Sequence, residues 1–539
     1  MRIGRSPASL AKLCLAGLLL PAGGAAFGPS PALAEDAGPR FKVREYRVEG
    51  ATLVPEGRIG DALRGYAGEQ ESFDTLRRAV EAVEALYQDA GFPAVRVQLP
   101  EQEIEGGVVR LRVIEARLGQ VIVEGNRHYS EENIRASLPD LVAGRPPAMD
   151  RVGASLALAN ESFAKRTRIT LAKGDTEAEV DARVQVADEK PWRLIGLADN
   201  SGTEATGRHR LGIMAQHANL FDRDHAASFT YLTSPQKPSD VNIYHLGYRI
   251  PLYEFGDSLE LSFSRSDVDS GTVGGQGMPT LAIAGRGATE GVRYHLGLPR
   301  VEGHEQRFSL ALDRKLFEAR VVPAGGGASL VPDLSTFPLT LTYSLSSPEG
   351  QAASWKLSLA STRNLPRGDK GDTAAFNQPG ARPGADARFQ AWRWEASASA
   401  ALADWTLKGE LQGQETRDLL ISGEQFGIGG ANSVRGFNER EVANDRGHRG
   451  GIELTTPAWS SGDGWRANLA GFYDFGRVRR NGALPGEQVR EGIASLGVGL
   501  RLAVGRNAYF KADLARVLDG GGTKLAGDLT AHMLLVLVY

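Results

Sequence analysis

Cysteine is nearly missing from this 539-residue chain, and the single thiol, Cys14, sits within an apolar N-terminal stretch. Disulfides, cysteine-ligated metals and cysteine nucleophiles are therefore excluded from everything downstream. No apolar run approaches the roughly 20 residues that a membrane helix needs, and mean hydropathy is −0.26. A helical multi-span membrane protein is excluded. A barrel that crosses with strands is not, because its short alternating patterns vanish in hydropathy averaging. Charge of one sign is also lacking: 62 Lys and Arg face 65 Asp and Glu, for a formal net charge of −3. That balance argues against a nucleic-acid partner. Glycine, by contrast, is abundant at 66 residues, well above the usual share of about 7%.

The first residues carry an export pattern. Arg2, Arg5 and Lys12 flank an apolar stretch from Leu13 to Leu20, and Ala32-Leu33-Ala34 forms a small-x-small cleavage site, so residues 1–34 are expected to be a signal peptide. The mature chain would begin at Glu35, and Lys12 beside Cys14 disfavours a lipoprotein. Loss of three cations and no acid takes the net charge from −3 to −6.

From Phe41 to about Lys190 the chain reads as two copies of one β-α-α-β-β unit, 41–115 and 116–190. The first opens with a strand over Phe41–Val48 whose pattern suggests a bulge, followed by a helix near Pro55–Tyr66. Leu76, Ala79, Val80, Val83, Leu86 and Tyr87 then fall at helical spacing until Gly91, a C-cap residue. Strands at Ala94–Leu99 and Val108–Ile114 close the unit. The second copy has a strand at 120–124, helices at 130–138 and 150–163, and strands at 168–172 and 178–186. Repetition at this length predicts a module array.

Beyond Pro191 helical periodicity stops. Sixteen alternating stretches are expected as strands, near 192–199, 208–217, 224–233, 241–250, 257–267, 288–298, 304–314, 337–346, 352–361, 388–400, 404–414, 449–457, 465–475, 491–503, 506–516 and 529–539. The number is even, and short links alternate with long Gly/Pro-rich ones such as 315–336, 362–387 and 415–448; both features predict a membrane β-barrel of antiparallel strands over 191–539. Leu259, Leu261 and Phe263 alternate with Glu260, Ser262 and Ser264, so lipid is expected outside and water inside.

Inside the longest loop, Gly429-Gly430-Ala431-Asn432-Ser433-Val434-Arg435-Gly436-Phe437 precedes Phe472-Tyr473-Asp474-Phe475-Gly476 on the thirteenth strand. Strand parity groups Asp474 with Arg466 and Asn468, facing the lumen, where a carboxylate needs compensation. Arg435 offers a planar fork able to grip it bidentately; Gly436 allows a tight backbone and Gly476 leaves room on the wall. Val434-Arg435-Gly436-Phe437 resembles the Val-Arg-Gly-Phe/Tyr motif of the outer-membrane transporters of two-partner secretion. Phe472, Asp474 and Gly476 resemble that family's Phe-x-Asp-x-Gly signature. Asp199-Asn200-Ser201-Gly202 with Thr206-Gly207, and Asn219-Leu220-Phe221-Asp222, extend the likeness. The chain is thereby identified as a member of this haemolysin/haemagglutinin secretion-activation family, within the barrel-assembly superfamily.

The resemblance implies two periplasmic polypeptide-transport-associated (POTRA) modules ahead of a 16-stranded barrel in the outer membrane of a Gram-negative bacterium, its lipid and its barrel-assembly machinery being partners. The terminal aromatic Tyr539 resembles the insertion signal of such barrels. The implied task is to recognise an unfolded exoprotein, of adhesin, cytolysin or toxin type, and pass it to the cell surface through a polar lumen; the alternative within the superfamily is a factor that inserts other barrels. Loop 415–448 would enter the pore, locked by Arg435 against Asp474. The interval of about six residues before Phe41 leaves no place for the N-terminal plug helix of some relatives. Exposed strand edges can capture an extended partner by β-augmentation, and the candidate positions are Val95, Val97 and Leu99 in the first module and Ile169 and Leu171 in the second. No metal or other cofactor is expected. Ser162-x-x-Lys165 is a chance spacing, His304-Glu305 lacks the second histidine of a zinc protease, and Gly325–Gly327 and Gly520–Gly522 lack the Lys-Ser/Thr of a phosphate loop.

Overall fold

The computed structural model describes residues 40–539 apart from 205, 268–270, 276–277, 284–285, 319–330, 349 and 463. The expected signal segment and Gly325–Gly327 lie outside the described residues.

Two α+β units lead the chain. In the first, strands Glu45–Glu49 and Arg96–Gln98 flank Val108–Ile114, the former parallel and the latter antiparallel. Helices Glu56–Leu63 and Phe73–Asp89 cover one face of this sheet. Ser72 caps the longer helix by accepting the Thr75 N–H, and Gly91 follows it at φ +87°. Leu76, Ala79, Val83 and Tyr87 are buried in the core, with Val80 and Leu86 at its margin. The opening strand is not continuous. It breaks at Arg44, whose N–H, like that of Glu45, donates to Gly107 O; Phe41–Val43 leaves the main sheet to pair with Gly68–Glu71.

The second unit repeats the layout: Arg117–Glu124 runs parallel to Glu179–Asp188, with Lys165–Lys173 on its other side. Helices Glu131–Ala136 and Met149–Ala159 cover it. The likeness extends to single residues. Gly50 and Gly125 both turn at positive φ, +84° and +88°, each with the space of a missing Cβ taken by a carbonyl, Val113 O and Val186 O. A carboxylate then grips each turn: Glu115 accepts from Thr52 N (2.6 Å) and Leu53 N (2.8 Å), Asp188 from Arg127 N (2.9 Å) and His128 N (2.8 Å).

All sixteen expected strands are present and close into one antiparallel barrel. They are Trp192–Asp199, Arg210–Leu220, His225–Thr233, Asn242–Leu252, Asp257–Ser266, Gly287–Val301, His304–Phe317, Pro338–Ser346, Ala353–Asn364, Gln390–Leu402, Trp405–Glu415, Arg446–Thr455, Trp465–Arg479, Arg490–Val504, Ala508–Asp519 and Leu529–Val538, numbered barrel strands 1–16 below. Several outrun the alternating stretch that announced them. Strands 6 and 7 meet at a two-residue turn, Glu302-Gly303, with both φ positive, the type I′ geometry that matches strand twist. A further hairpin, Gly271–Gly275 with Met278–Ile283, stands in the loop between strands 5 and 6.

Leu211, Ile213, Leu261, Phe263, Leu357 and Leu359 project outward and exposed, and Trp192, Trp405, Trp459 and Trp465 gather near the module-proximal rim, like the aromatic girdle of membrane barrels. The inner wall departs from the expectation of a polar lumen throughout. Ile195, Leu197, Met214, Leu232, Ile243 and Val536 turn inward and pack into an apolar cluster with Val241. Gly212 makes this possible, since a Cβ there would stand 2.8 Å from Leu197.

Candidate functional site

The loop between strands 11 and 12 folds back as a short hairpin, Phe426–Ile428 with Val442–Asn444. Its tip is shaped by Gly429, Gly430 and Gly436 at φ +106°, +112° and +100°. Val434 and Phe437 are completely buried beside Ile428, Val478, Ile493 and Val517, so two apolar side chains pin the tip to the walls of strands 13–15. Gly436 is required on two counts: its φ, and a Cβ that would sit 3.2 Å from Ala515. Gly476 leaves the wall open for Ile428, which a Cβ would meet at 3.1 Å.

Between those anchors Arg435 points into a ring of acids. Its Nε and one terminal nitrogen donate to the two Asp474 oxygens at 2.6 and 2.9 Å, and its backbone N–H reaches the same carboxylate at 3.1 Å. The other terminal nitrogen donates to Glu453 at 2.6 Å and stands 3.7 Å from Asp513. The guanidinium lies 3.4 Å over the Phe472 ring, a cation–π contact. Gly436 is held on both sides, its N–H donating to His532 Nε2 (2.9 Å) and its carbonyl accepting from Thr530 (2.9 Å). The structure thus brings together every residue of the two motifs. Sequence reasoning missed Glu453, Asp513, His532 and the bridging Arg501, which donates to both Glu453 and Asp513. Lumen parity on strands 12 and 15 was the available signal, but nothing in one sequence says which inward acids converge.

The same loop has a second anchor at its base. Glu424, 2% exposed, accepts from Lys315 and Thr336 (both 2.9 Å) and Arg393 (3.2 Å). Asp445 accepts from Leu420 N, Arg382 and Asn481 N, tying in the loops after strands 9 and 13.

The module edges lie elsewhere. Val95 and Val97 are buried in the first module's core with Leu99 against it, and the Val97 N–H is already taken by Glu84 (2.9 Å). In the second module Thr167 directs its N–H and carbonyl to Asn160. By strand alternation, the next peptide groups turned outward on that edge are those of Ile169 and Leu171.

That second module is fastened to the barrel. Lys165, fully buried, donates to Asp224 (2.6 Å) in the turn between strands 2 and 3, and Tyr253 donates to the same oxygen (2.6 Å). Asn133 donates to Asn219 and to Asp222 O in that turn, while Ser155 donates to Tyr253 O. Burial pushes the Lys165 ammonium below its ordinary value, with Asp224 opposing the shift. Its ion pair leaves no Ser162–Lys165 dyad.

A 16-stranded barrel with an arginine-tipped loop folded against its wall, preceded by small α+β modules, defines an outer-membrane transport barrel. The comparisons narrow the class. The haemolysin secretion/activation protein family ShlB/FhaC/HecB matches residues 179–502, more than half of the chain, and a POTRA domain of ShlB type matches residues 41–116. The outer membrane transporter CdiB of Dickeya dadantii is 24% identical over 469 residues, covering 80% of this chain and 75% of that protein. The heme/hemopexin transporter protein HuxB of Haemophilus influenzae is 22% identical over 163 residues, 30% of this chain and 29% of that protein. Among solved structures, CdiB from Escherichia coli superposes with a TM-score of 0.77 at 19% identity over 95% of this chain and 93% of the other. CdiB from Acinetobacter baumannii gives 0.70 at 18%, over 93% and 90%. The chain belongs to the ShlB/FhaC/HecB family of outer-membrane secretion transporters.

Proposed function

We propose that this transporter captures one large unfolded exoprotein in the periplasm and releases it at the cell surface, with Arg435 as the lock of a loop that stands across its path. The observation that carries this reading is the bidentate grip of Arg435 on Asp474, closed by Glu453. A buried charge ring of this kind holds a loop in one place within an aqueous lumen, where a solvated loop would drift. The unit over 116–190 acts as a second POTRA module; its Gly125–Asp188 turn, the counterpart of Gly50–Glu115, supports that assignment. Capture is by β-augmentation along the second module's outer edge, where Ile169 and Leu171 present main-chain groups. The periplasm lacks ATP, so direction comes from folding of the cargo outside. Residues 1–34 direct export, and the strand ending in Tyr539 is the handle for the barrel-assembly machinery.

Deleting the gene should remove one large protein, an adhesin, cytolysin or toxin, from the surface and medium. Complementation with Arg435→Ala should restore an inserted barrel but not that protein. Normal export by Arg435→Ala would overturn the lock. Unchanged export after deletion, with other outer-membrane barrels depleted, would favour an insertion factor.

A further inference from the structure

The inner wall is not equally open all round. Along strands 13–15 the loop covers it: Asp474, Ser495, Asp513, Ala515 and Val517 are at most 2% exposed. Along strands 1–4 and 16 the apolar cluster closes on itself. A cavity of about 830 Å³ remains between the loop tip, at Ala431–Ser433 and Arg435, and strands 8–13, with Lys511 of strand 15 at its margin. On strands 8–10 its wall carries the small hydroxyl side chains Ser346, Ser354, Ser397 and Ser399, and the row continues past the cavity along strands 8 and 9. Thr340, Thr342, Ser344 and Ser346 of strand 8 stand across from Thr362, Ala360, Ser358 and Lys356 of strand 9. Lys356 and Ser354 in turn face Ser397 and Ser399 of strand 10. Ser344 bonds Ser358 (3.3 Å) and Thr340 bonds Thr362 (3.0 Å), but no other described side chain engages Ser354, Ser397 or Ser399. Lys356 and Lys408 stand toward the module-proximal end, Glu410 shares the cross-strand row of Lys356 and Ser397, and Glu395 lies one inward position farther.

We propose that this hydroxyl stripe is the track along which the extended polypeptide crosses the membrane. The inference rests on the transport reading above and adds where in the lumen the cargo runs and what holds it. A conducting path must bind well enough to admit its load and weakly enough to release it. Serine and threonine hydroxyls both donate and accept, so they replace water on any backbone N–H or C=O, whatever the cargo's sequence. Their small size leaves no apolar ledge where side chains would lodge, and the charges beside them are of both signs, Lys356, Lys408 and Lys511 with Glu410 and Glu453, so no single residue type is held strongly. The covered walls offer neither property.

Two measurements test this. The chain beyond residue 34 has no cysteine, so Ser358→Cys, Ser397→Cys and Met214→Cys each place one thiol in the full-length barrel. In planar bilayers a cationic methanethiosulfonate reagent should lower the conductance of the first two and leave Met214→Cys unchanged; reaction at 214 and not at 358 or 397 would overturn the open-wall geometry. In cells, replacing Ser344, Ser358 and Ser397 together by Leu should cut export of the gene-dependent surface protein by about tenfold, while the triple Thr variant exports normally. Wild-type export by an inserted triple Leu variant overturns the track but leaves the transport reading intact. That reading fails only if deletion of the whole gene removes no exported protein. If the triple variant does not insert, Ser358→Leu alone carries the same comparison.

Discussion

Arg435 hydrogen-bonds Asp474 and Glu453 and stands near Asp513, and its removal would leave Asp474, 2% exposed, buried without its ion-pair partner. Breaking a buried pair from one side costs about 3–5 kcal/mol, enough to free a loop tip and too little to unfold a barrel closed by continuous strand pairing. Arg435→Lys keeps the charge but loses the two-pronged grip. It should therefore restore only part of the export lost in Arg435→Ala, as measured by the amount of partner in the medium. The Arg435–Asp474 pair was legible because strand parity turned Asp474 inward and the resemblance of the two short motifs to the family's implied their contact. Glu453, Asp513 and His532 were not, since their meeting depends on the register of strands 12, 15 and 16 around a closed curve.

At the scale of elements, alternation of period two exposed every barrel strand, because lipid outside and solvent inside impose opposite demands on neighbouring residues. At Phe41–Val48 it marked an irregularity but read one bulged strand, whereas the backbone breaks at Arg44 against Gly107 and Phe41–Val43 joins a different sheet. It also failed to show that strands 1–4 carry apolar residues on both faces. The module turns carry a pH prediction. Burial would raise Glu115, but hydrogen bonds from Thr52, Leu53 and Tyr87 hold it below the usual carboxylate range. Asp188 is likewise pushed up by burial and pulled below its ordinary value by the His128 and Arg127 N–H groups. A carboxylate lowered on folding contributes stability above its unfolded pKa, about 4, and loses that contribution as pH falls through the folded value. Hydrogen exchange at residues 51–54 and 126–129, corrected for intrinsic rate, should therefore stay slow at pH 6 and accelerate below about pH 4. Exchange in the barrel strands should not follow.

For the whole molecule, two joints matter. Lys165 fastens the second module to the barrel, and Lys165→Ala would leave the buried Asp224 with the Tyr253 hydroxyl but no counter-charge, at about 3 kcal/mol. Limited proteolysis should then cut between the module and strand 1 sooner than in wild type, with the barrel core still resistant. The other joint is the seam, where strands 1 and 16 share five register pairs against fifteen between strands 13 and 14. Asn200 extends it with its side chain, donating to Ala531 O and accepting from Met533 N. A transporter that sends cargo through its lumen has no need to open this seam. Locking it with Gly196→Cys and Leu537→Cys, partners in register, should leave export unchanged, as judged by comparing oxidised and reduced cells.

The amino-acid order by itself determined the two repeated α+β patterns, the sixteen strands and the pairing of an arginine loop with an inward aspartate. Each of these is written in periodicities of two or 3.6 residues or in short motifs, and so depends only on near neighbours along the chain. The tertiary structure alone decided which inward residues meet, which wall the loop covers and which it leaves open, and how Lys165 and Asp224 come together across 59 positions. Those outcomes follow from closure. Once the last strand pairs with the first, a small change in register or tilt is carried around the whole ring, and no local pattern records where it comes to rest.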